Sequence, residues 1–394
     1  MRKQLHLLAG LVLPSVVACL FSPHAVAQSS AKPELAEMAN FDDPQEVLSG
    51  DRWLDVDTSV EKALDWLADQ QQPDGSFATL PTGQPGVTSL VVMAFMAQGE
   101  MPGEGPRGEK LKRAVDYVAR CQKPNGLLSL IGPRDQIDTN SMFEWTSVPA
   151  SYNHAISSLM LSEAYGMHEA REGAQSRQVI EAALALSIKV QQAPKREIDV
   201  GGWRYFTRWD EADSDLSITS WYLMSLRSAR NAGFDVPDDR IDEAMAYVLR
   251  CFDNQNKTFT YTLAPPDRPV TRAMAGAGIL ALAHGGRHES AEARAAGEWL
   301  IKSPFKAYNI QMGGKDSYHY GTFYSCQAMY QLGGKYWRAY YPTAVEQLLS
   351  GQGGDGSWSS ESYRNEANYG QCYTTALSVL TLSVSNELLP IFQR

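Results

Sequence analysis

The segment GQGGDGSW, Gly351 to Trp358, has an echo near the other end of the chain in QQPDGSF, Gln71 to Phe77. Each follows a segment with amphipathic helical spacing, and each precedes a segment that is apolar nearly all round. Weaker copies stand between them: CQKPNGLL from Cys121, and Gln191-Gln192 leading to GGWRY from Gly201. A unit that recurs through a chain fixes its architecture before any local motif does. In each copy Asp and Gly suit a tight reversal, and the aromatic suits a gap between helices.

Outward from these turns, the spacing predicts six pairs of helical segments. The first of each pair is amphipathic: Val60 to Gln71, Lys110 to Gln122, Arg177 to Gln191, Asp239 to Cys251, Ser290 to Lys302 and Pro342 to Leu349. Ala63, Trp66 and Leu67 form one apolar row, the mark of a helix with one face in water. The second of each pair has little polar face: Val87 to Gln98, His154 to Tyr165, Leu216 to Ala232, Arg272 to His284, Gly321 to Leu332 and Cys372 to Val384. Such helices are buried on most sides. Half-buried and buried helices alternating six times predict an all-α, closed double ring, an (α/α)6 toroid with parallel inner helices. An open superhelix of hairpins is the alternative.

The amino terminus reads as a signal peptide over residues 1–27. Arg2 and Lys3 precede an apolar run from Leu5 to Phe21, and Ala25-Val26-Ala27 is a small-x-small cleavage site. Val16-Val17-Ala18-Cys19 offers a competing reading with a lipid anchor on Cys19. A flexible segment, 28–50, then leads to a single toroid domain, 51–394, exported to the periplasm or beyond. No other stretch is apolar for long enough to span a bilayer. The net charge of -10 is spread without a basic block, which argues against nucleic acid as a partner. Cys121, Cys251, Cys326 and Cys372 lack any metal-ligand spacing and read as buried thiols. No cofactor motif is present. HGGRH, His284 to His288, reads as a helix stop at Gly285 and Gly286.

The repeated Q…DGSW/F turns, the six hairpins, and GGWRY followed by DSDLSITSW resemble the prenyltransferase and squalene-oxidase (terpene cyclase) repeat family, from about Val60 onward. The ending YGQCYTTALSVLTL…LLPIFQR is similar to exported bacterial members. The resemblance implies an α/α toroid with a central cavity. In the protonating cyclases a DxDD motif opens an inner helix; Asp213 and Asp215 match two of its positions, whereas Leu216 stands where the last Asp belongs. The zinc ligands of the protein prenyltransferases would fall near Tyr318, Tyr320 and Gly370, none of which suits the metal.

Parallel inner helices gather their N-termini on one rim, where partial positive charge and free N–H groups suit an anion or a carboxylate-based site. The candidates at that rim are Asp213 and Asp215 as acids, or simply as helix caps, with His154, Trp203, Trp221, Arg272, His319, Tyr320, Tyr324, Tyr369 and Tyr373 as ligand-binding residues. Aromatic faces with polar tips suit an isoprenoid pocket, and equally suit helix packing. GGWRY itself reads mainly as packing. Three functions stay open: a toroid holding a hydrophobic, isoprenoid-like molecule or a protein partner; a cyclase-like enzyme with Asp213 or Asp215 as its acid; and a polysaccharide lyase or hydrolase.

Overall fold

The computed structural model describes residues 43–133, 144–167, 174–207, 212–264, 268–310, 316–362 and 366–394. The expected signal peptide, Cys19 and Trp209 lie outside them. Among the described residues, twelve α-helices alternate as outer and inner members of a ring. The outer helices are α1 (Gly50–Asp69), α3 (Gly108–Arg120), α5 (Ala174–Gln191), α7 (Asp238–Arg250), α9 (Ala291–Lys302) and α11 (Gly334–Gly351). The inner helices are α2 (Gly86–Met96), α4 (Ser147–Met167), α6 (Leu216–Asn231), α8 (Arg272–His284), α10 (Tyr318–Leu332) and α12 (Gly370–Leu382). One short antiparallel pair, β1 (Phe252–Asp253) and β2 (Thr258–Phe259), takes the place of the repeated turn after α7.

Each inner helix packs on the next, and α12 returns to α2, so the ring is closed. Side-chain bonds climb pairs of inner helices in the same sense. Tyr152 reaches Ser217 and Glu163 reaches Ser228 between α4 and α6; Ser217 reaches Tyr320 and Ser220 reaches Tyr324 between α6 and α10. The inner helices therefore run parallel. Small residues permit the close approach: a Cβ on Gly276 of α8 would sit 2.5 Å from the backbone of Tyr324 in α10.

The recurring turn works as a staple. Gln352 donates through Nε2 to the carbonyls of Gly356 in its own turn and Ser59 in α1, both at 2.8 Å. Gln71 does the same to Gly75 and Lys110, Gln122 to Gly126 and Val179, and Gln191 to Gly201 and Arg240. One amide thus ties the end of an outer helix to the next outer helix, and the last copy joins α11 to α1. Gly356 has φ +94, and a Cβ there would meet the Lys62 carbonyl at 2.5 Å, so both conformation and space demand glycine. The aromatic is locked in turn: Trp358 donates Nε1–H to Leu348 O, and its backbone N–H goes to Thr375 in the following inner helix.

Three helices start seven or more residues earlier than their apolar spacing predicts. Helix α1 begins at Gly50, capped by Ser49, because its first turns are exposed and carry little apolar signal. Helix α4 begins at Ser147, with Pro149 in the first turn, where its missing N–H costs nothing. Helix α11 begins at Gly334 and continues through Pro342. There Trp337 stacks on Tyr341 at 3.9 Å and bonds Pro44 O, while the Tyr341 hydroxyl donates to Leu382 O, anchoring the turn that proline weakens. The four described cysteines are buried free thiols.

Candidate functional site

The anion-ready rim expected from the sequence is filled by the protein's own groups. The Gly86 N–H of α2 donates to Asn153 Oδ1, and Ile218 N–H of α6 donates to Asp215 Oδ1 at 2.8 Å. At α8, Arg272 N–H donates to Asp316 and Met274 N–H to Thr271. At α10, Glu361 accepts from the backbone of Tyr318, His319 and Tyr320. Neither Asp316 nor Glu361 was distinguishable in sequence from an ordinary loop acid, because each caps a helix that precedes it by tens of residues.

Several candidates turn out to hold the ring together. His154 accepts Leu128 N–H at Nδ1, and its Nε2 lies 3.2 Å from Ala183 O and 3.1 Å from Ser187 Oγ. It replaces the threonine that receives the turn's N–H in other copies (Thr88, Thr219, Thr375). Full burial pushes its pKa down to about 4, so it is neutral, with both nitrogens engaged. Trp203 is the aromatic of its own turn, bonded to Ser187 O and stacked on Tyr222. Arg272 is spent on Asp316 at 2.6 Å and on the Ser303 carbonyl. His319 is buried between Tyr308 and Tyr318, bonds Ser378, and is held neutral by a pKa near 3. The described bonds of these four hold the ring together.

The acidic pair diverges. Asp213 accepts Arg196 N–H at 2.9 Å, beside the Arg196–Asp199 ion pair. Asp215 is fully buried: Oδ1 caps α6, while Oδ2 takes the Tyr261 hydroxyl at 3.2 Å and lies 3.8 Å from Arg204 Nε. Leu216 is buried, and its N–H goes to Tyr261 O.

Around Asp215 the remaining candidates converge. Tyr261 bonds Tyr205 through their hydroxyls at 3.1 Å, and the Arg204 guanidinium lies over the Tyr205 ring at 5.0 Å. On the facing side Tyr152 donates to Ser217, whose hydroxyl meets Tyr320 OH at 2.7 Å. Trp221 Nε1–H donates to Tyr320 OH at 2.9 Å, and Ser220 meets Tyr324 OH. Tyr152, Tyr205, Tyr261 and Tyr320 are deep in the protein, where lost hydration and the Asp215 charge push their hydroxyls above the ordinary phenol value, yet each keeps accessible surface. Tyr373 lies near Tyr324, and Tyr369, half-buried, packs on Tyr373 with ring centroids 5.6 Å apart. Tyr261 escaped the sequence reading, since it follows a hairpin that lacks the repeat motif, and Arg204 was read there with GGWRY as packing.

The fold is a terpene-cyclase-like α/α toroid. A type II terpene cyclase from Scytonema, solved in complex with geranylgeranyl dihydroxybenzoate, superposes with TM-score 0.52 at 12% identity, over 87% of this chain and 100% of that one. A D-mannose isomerase shares the fold with TM-score 0.57 at 13% identity, over 84% of this chain and 96% of that one. In sequence, drimenyl diphosphate synthase of Streptomyces showdoensis is 28% identical over 192 residues, 49% of this chain. The chain spans 30% of that protein's length. No family model matches the sequence.

Proposed function

We propose that the chain binds a hydrophobic, isoprenoid-like molecule in the recess bordered by Tyr152, Tyr205, Tyr261 and Tyr320, with any polar end turned toward Arg204 and Asp215. The observation that carries this reading is the convergence of four accessible phenols, from four separate parts of the chain, on one buried carboxylate. Phenol rings offer broad apolar faces to a prenyl chain, and their hydroxyls are already tied to Ser217, Trp221, Asp215 and each other. The likeness to a cyclase that holds a geranylgeranyl compound supports the ligand class.

The other two readings find less support. An acid catalyst must donate, but the described partners of Asp215 are donors or cations, and Leu216 replaces the last acid of the DxDD pattern. A sugar hydrolase needs two carboxylates facing one bond, and Asp213 and Asp215 lead to different networks. Export of the chain belongs to the same proposal, resting on the signal-like residues 1–27; amino-terminal sequencing of the protein recovered outside the cytoplasm tests it.

A thermal-shift screen tests the binding. A ligand for the native state raises Tm by mass action. Farnesol, geranylgeraniol and squalene form one panel, neutral and acidic oligosaccharides the other. Stabilisation by the first panel, lost in Tyr320→Ala, is the expected result. Stabilisation by the sugars alone, or by neither panel, overturns it.

A further inference from the structure

At the opposite end of the inner helices lies a recess, of about 500 Å³, between the C-terminal ends of α6 and α8 and the face of α7 from Asp238 to Leu249. It is separated from Asp215 by most of the length of α6, roughly 20 Å at 1.5 Å per residue. Its volume falls within the range of small-molecule sites. Three guanidiniums border it, Arg227, Arg230 and Arg287, over a floor that includes Ile241 and Met245. Arg230 is already matched: it donates to Val236 O at 2.6 Å and pairs with Asp238 at 2.6 Å. Arg227 and Arg287 have no side-chain hydrogen bond or ion pair among the described residues. Asp242, also in the wall, pairs with neither.

Two guanidiniums bordering one recess repel each other, and the partial negative ends of α6 and α8 offset that only in part. The positive field reaches the protein interior. His284, adjoining Gly285 of the wall, is pushed to a pKa of about 3 by burial and then by the Arg227 charge, and its Nε2 is buried without a hydrogen-bond partner. Beneath the cations the lining is mixed: Ile241, Met245, Ala246 and Leu249 supply aliphatic surface, and Asp238 and Asp242 supply carboxylates.

We infer that this recess is a binding site for a small amphiphilic anion, its carboxylate or phosphate head held by Arg227 and Arg287 and its apolar body laid on Ile241 and Met245. Guanidinium forks suit both heads, and an apolar floor rejects a fully hydrated ion. Asp242 sets a limit on the charge, since it opposes the head and disfavours multiply charged anions. The site is independent of the isoprenoid reading and shares no residue with it.

Isothermal titration calorimetry of the full chain tests the assignment with four probes: octanoate, octyl phosphate, octanol and inorganic phosphate. Saturable one-to-one binding of octanoate or octyl phosphate is expected, and whichever binds tighter identifies the head. Arg227→Gln and Arg287→Gln should each weaken it about tenfold or more, the loss of one charge-assisted contact. Arg287 is exposed, so its variant keeps the test open if Arg227→Gln disturbs α6. Asp242→Asn should tighten binding about threefold. Octanol binding as well as octanoate would remove the role of charge. Inorganic phosphate binding as well as octyl phosphate would remove the role of the floor. Unchanged affinity in both arginine variants, or no binding of either amphiphile, overturns the site.

Discussion

The hydroxyl of Tyr261 donates to Oδ2 of Asp215 across 3.2 Å, while Oδ1 of the same carboxylate caps α6 through Ile218 N–H at 2.8 Å. One side chain therefore begins an inner helix and anchors one of the phenols. These roles separate by substitution. Asparagine keeps the cap but loses the charge opposite Arg204; alanine loses both. Asp215→Ala should cost about 3–5 kcal/mol, the penalty for stranding a buried cation. Asp215→Asn should cost less, and Tyr261→Phe about 1 kcal/mol. Urea unfolding followed by circular dichroism ranks the three; equal losses in the two Asp215 variants would remove the cap from the account, and an Asp215→Asn variant as stable as the parent would remove the charge.

Ring closure predicts a different pattern. Gln352 makes two amide bonds and accepts a third from Ser59 Oγ at 2.8 Å. Gln352→Ala should lower stability by about 2–3 kcal/mol. Gly356→Ala should cost at least about 2 kcal/mol, through its positive φ and the contact with Lys62 O. The denaturant midpoint reports both.

The buried Glu163 makes stability depend on pH. It accepts Ser228 Oγ–H at 2.5 Å and Ile391 N–H at 3.2 Å, and burial raises its pKa from 4.5 to about 7. A raised carboxyl pKa means the folded state holds the proton more tightly than the unfolded chain. Its contribution is fully present below pH 4.5 and is lost as pH rises toward 7, a swing of about 3 kcal/mol. Glu163→Gln should flatten this part of the pH–stability curve. An unchanged slope between pH 4.5 and 7 would show that Glu163 is not its source.

Arg272 and Asp316 predict the behaviour of a buried pair. Arg272→Met leaves Asp316 facing only backbone N–H groups and should destabilise by about 3–5 kcal/mol. Arg272→Met combined with Asp316→Leu should recover part of that loss. Ligand binding at the Tyr320 recess should survive in whatever fraction folds, because Arg272 is not part of its wall.

The turns were legible in the sequence because their physics is local: Gln, Asp, Gly and an aromatic at fixed spacing make the same bonds each time. The inner helices were legible because little polar face remains when neighbours surround a helix. Helix starts were less so where capping or packing, rather than apolar spacing, sets them, as at Ser49 and Ser147. The site divided along the same line. Asp215, Trp221, Tyr320 and Tyr324 stand at or near helix starts, and position together with residue type selected them. His154, Trp203, Arg272 and His319 shared that position but face bonding partners the sequence could not reveal. Tyr261 and Glu361 needed the tertiary fold, since each acts on a helix encoded tens of residues away.

The amide of Gln352 reaches Ser59 across 293 residues of sequence. Between those two points each staple links neighbours in chain order and can form as the hairpins accumulate. The final one cannot, because it waits for the first and last outer helices to meet. Closing so distant a pair is the slow class of folding event. A chain lacking this seam would be an open arc with two unburied flanks, prone to join another copy of itself. The seam thus governs kinetics as well as stability: refolding of Gln352→Ala should be retarded and more concentration-dependent than that of the parent chain.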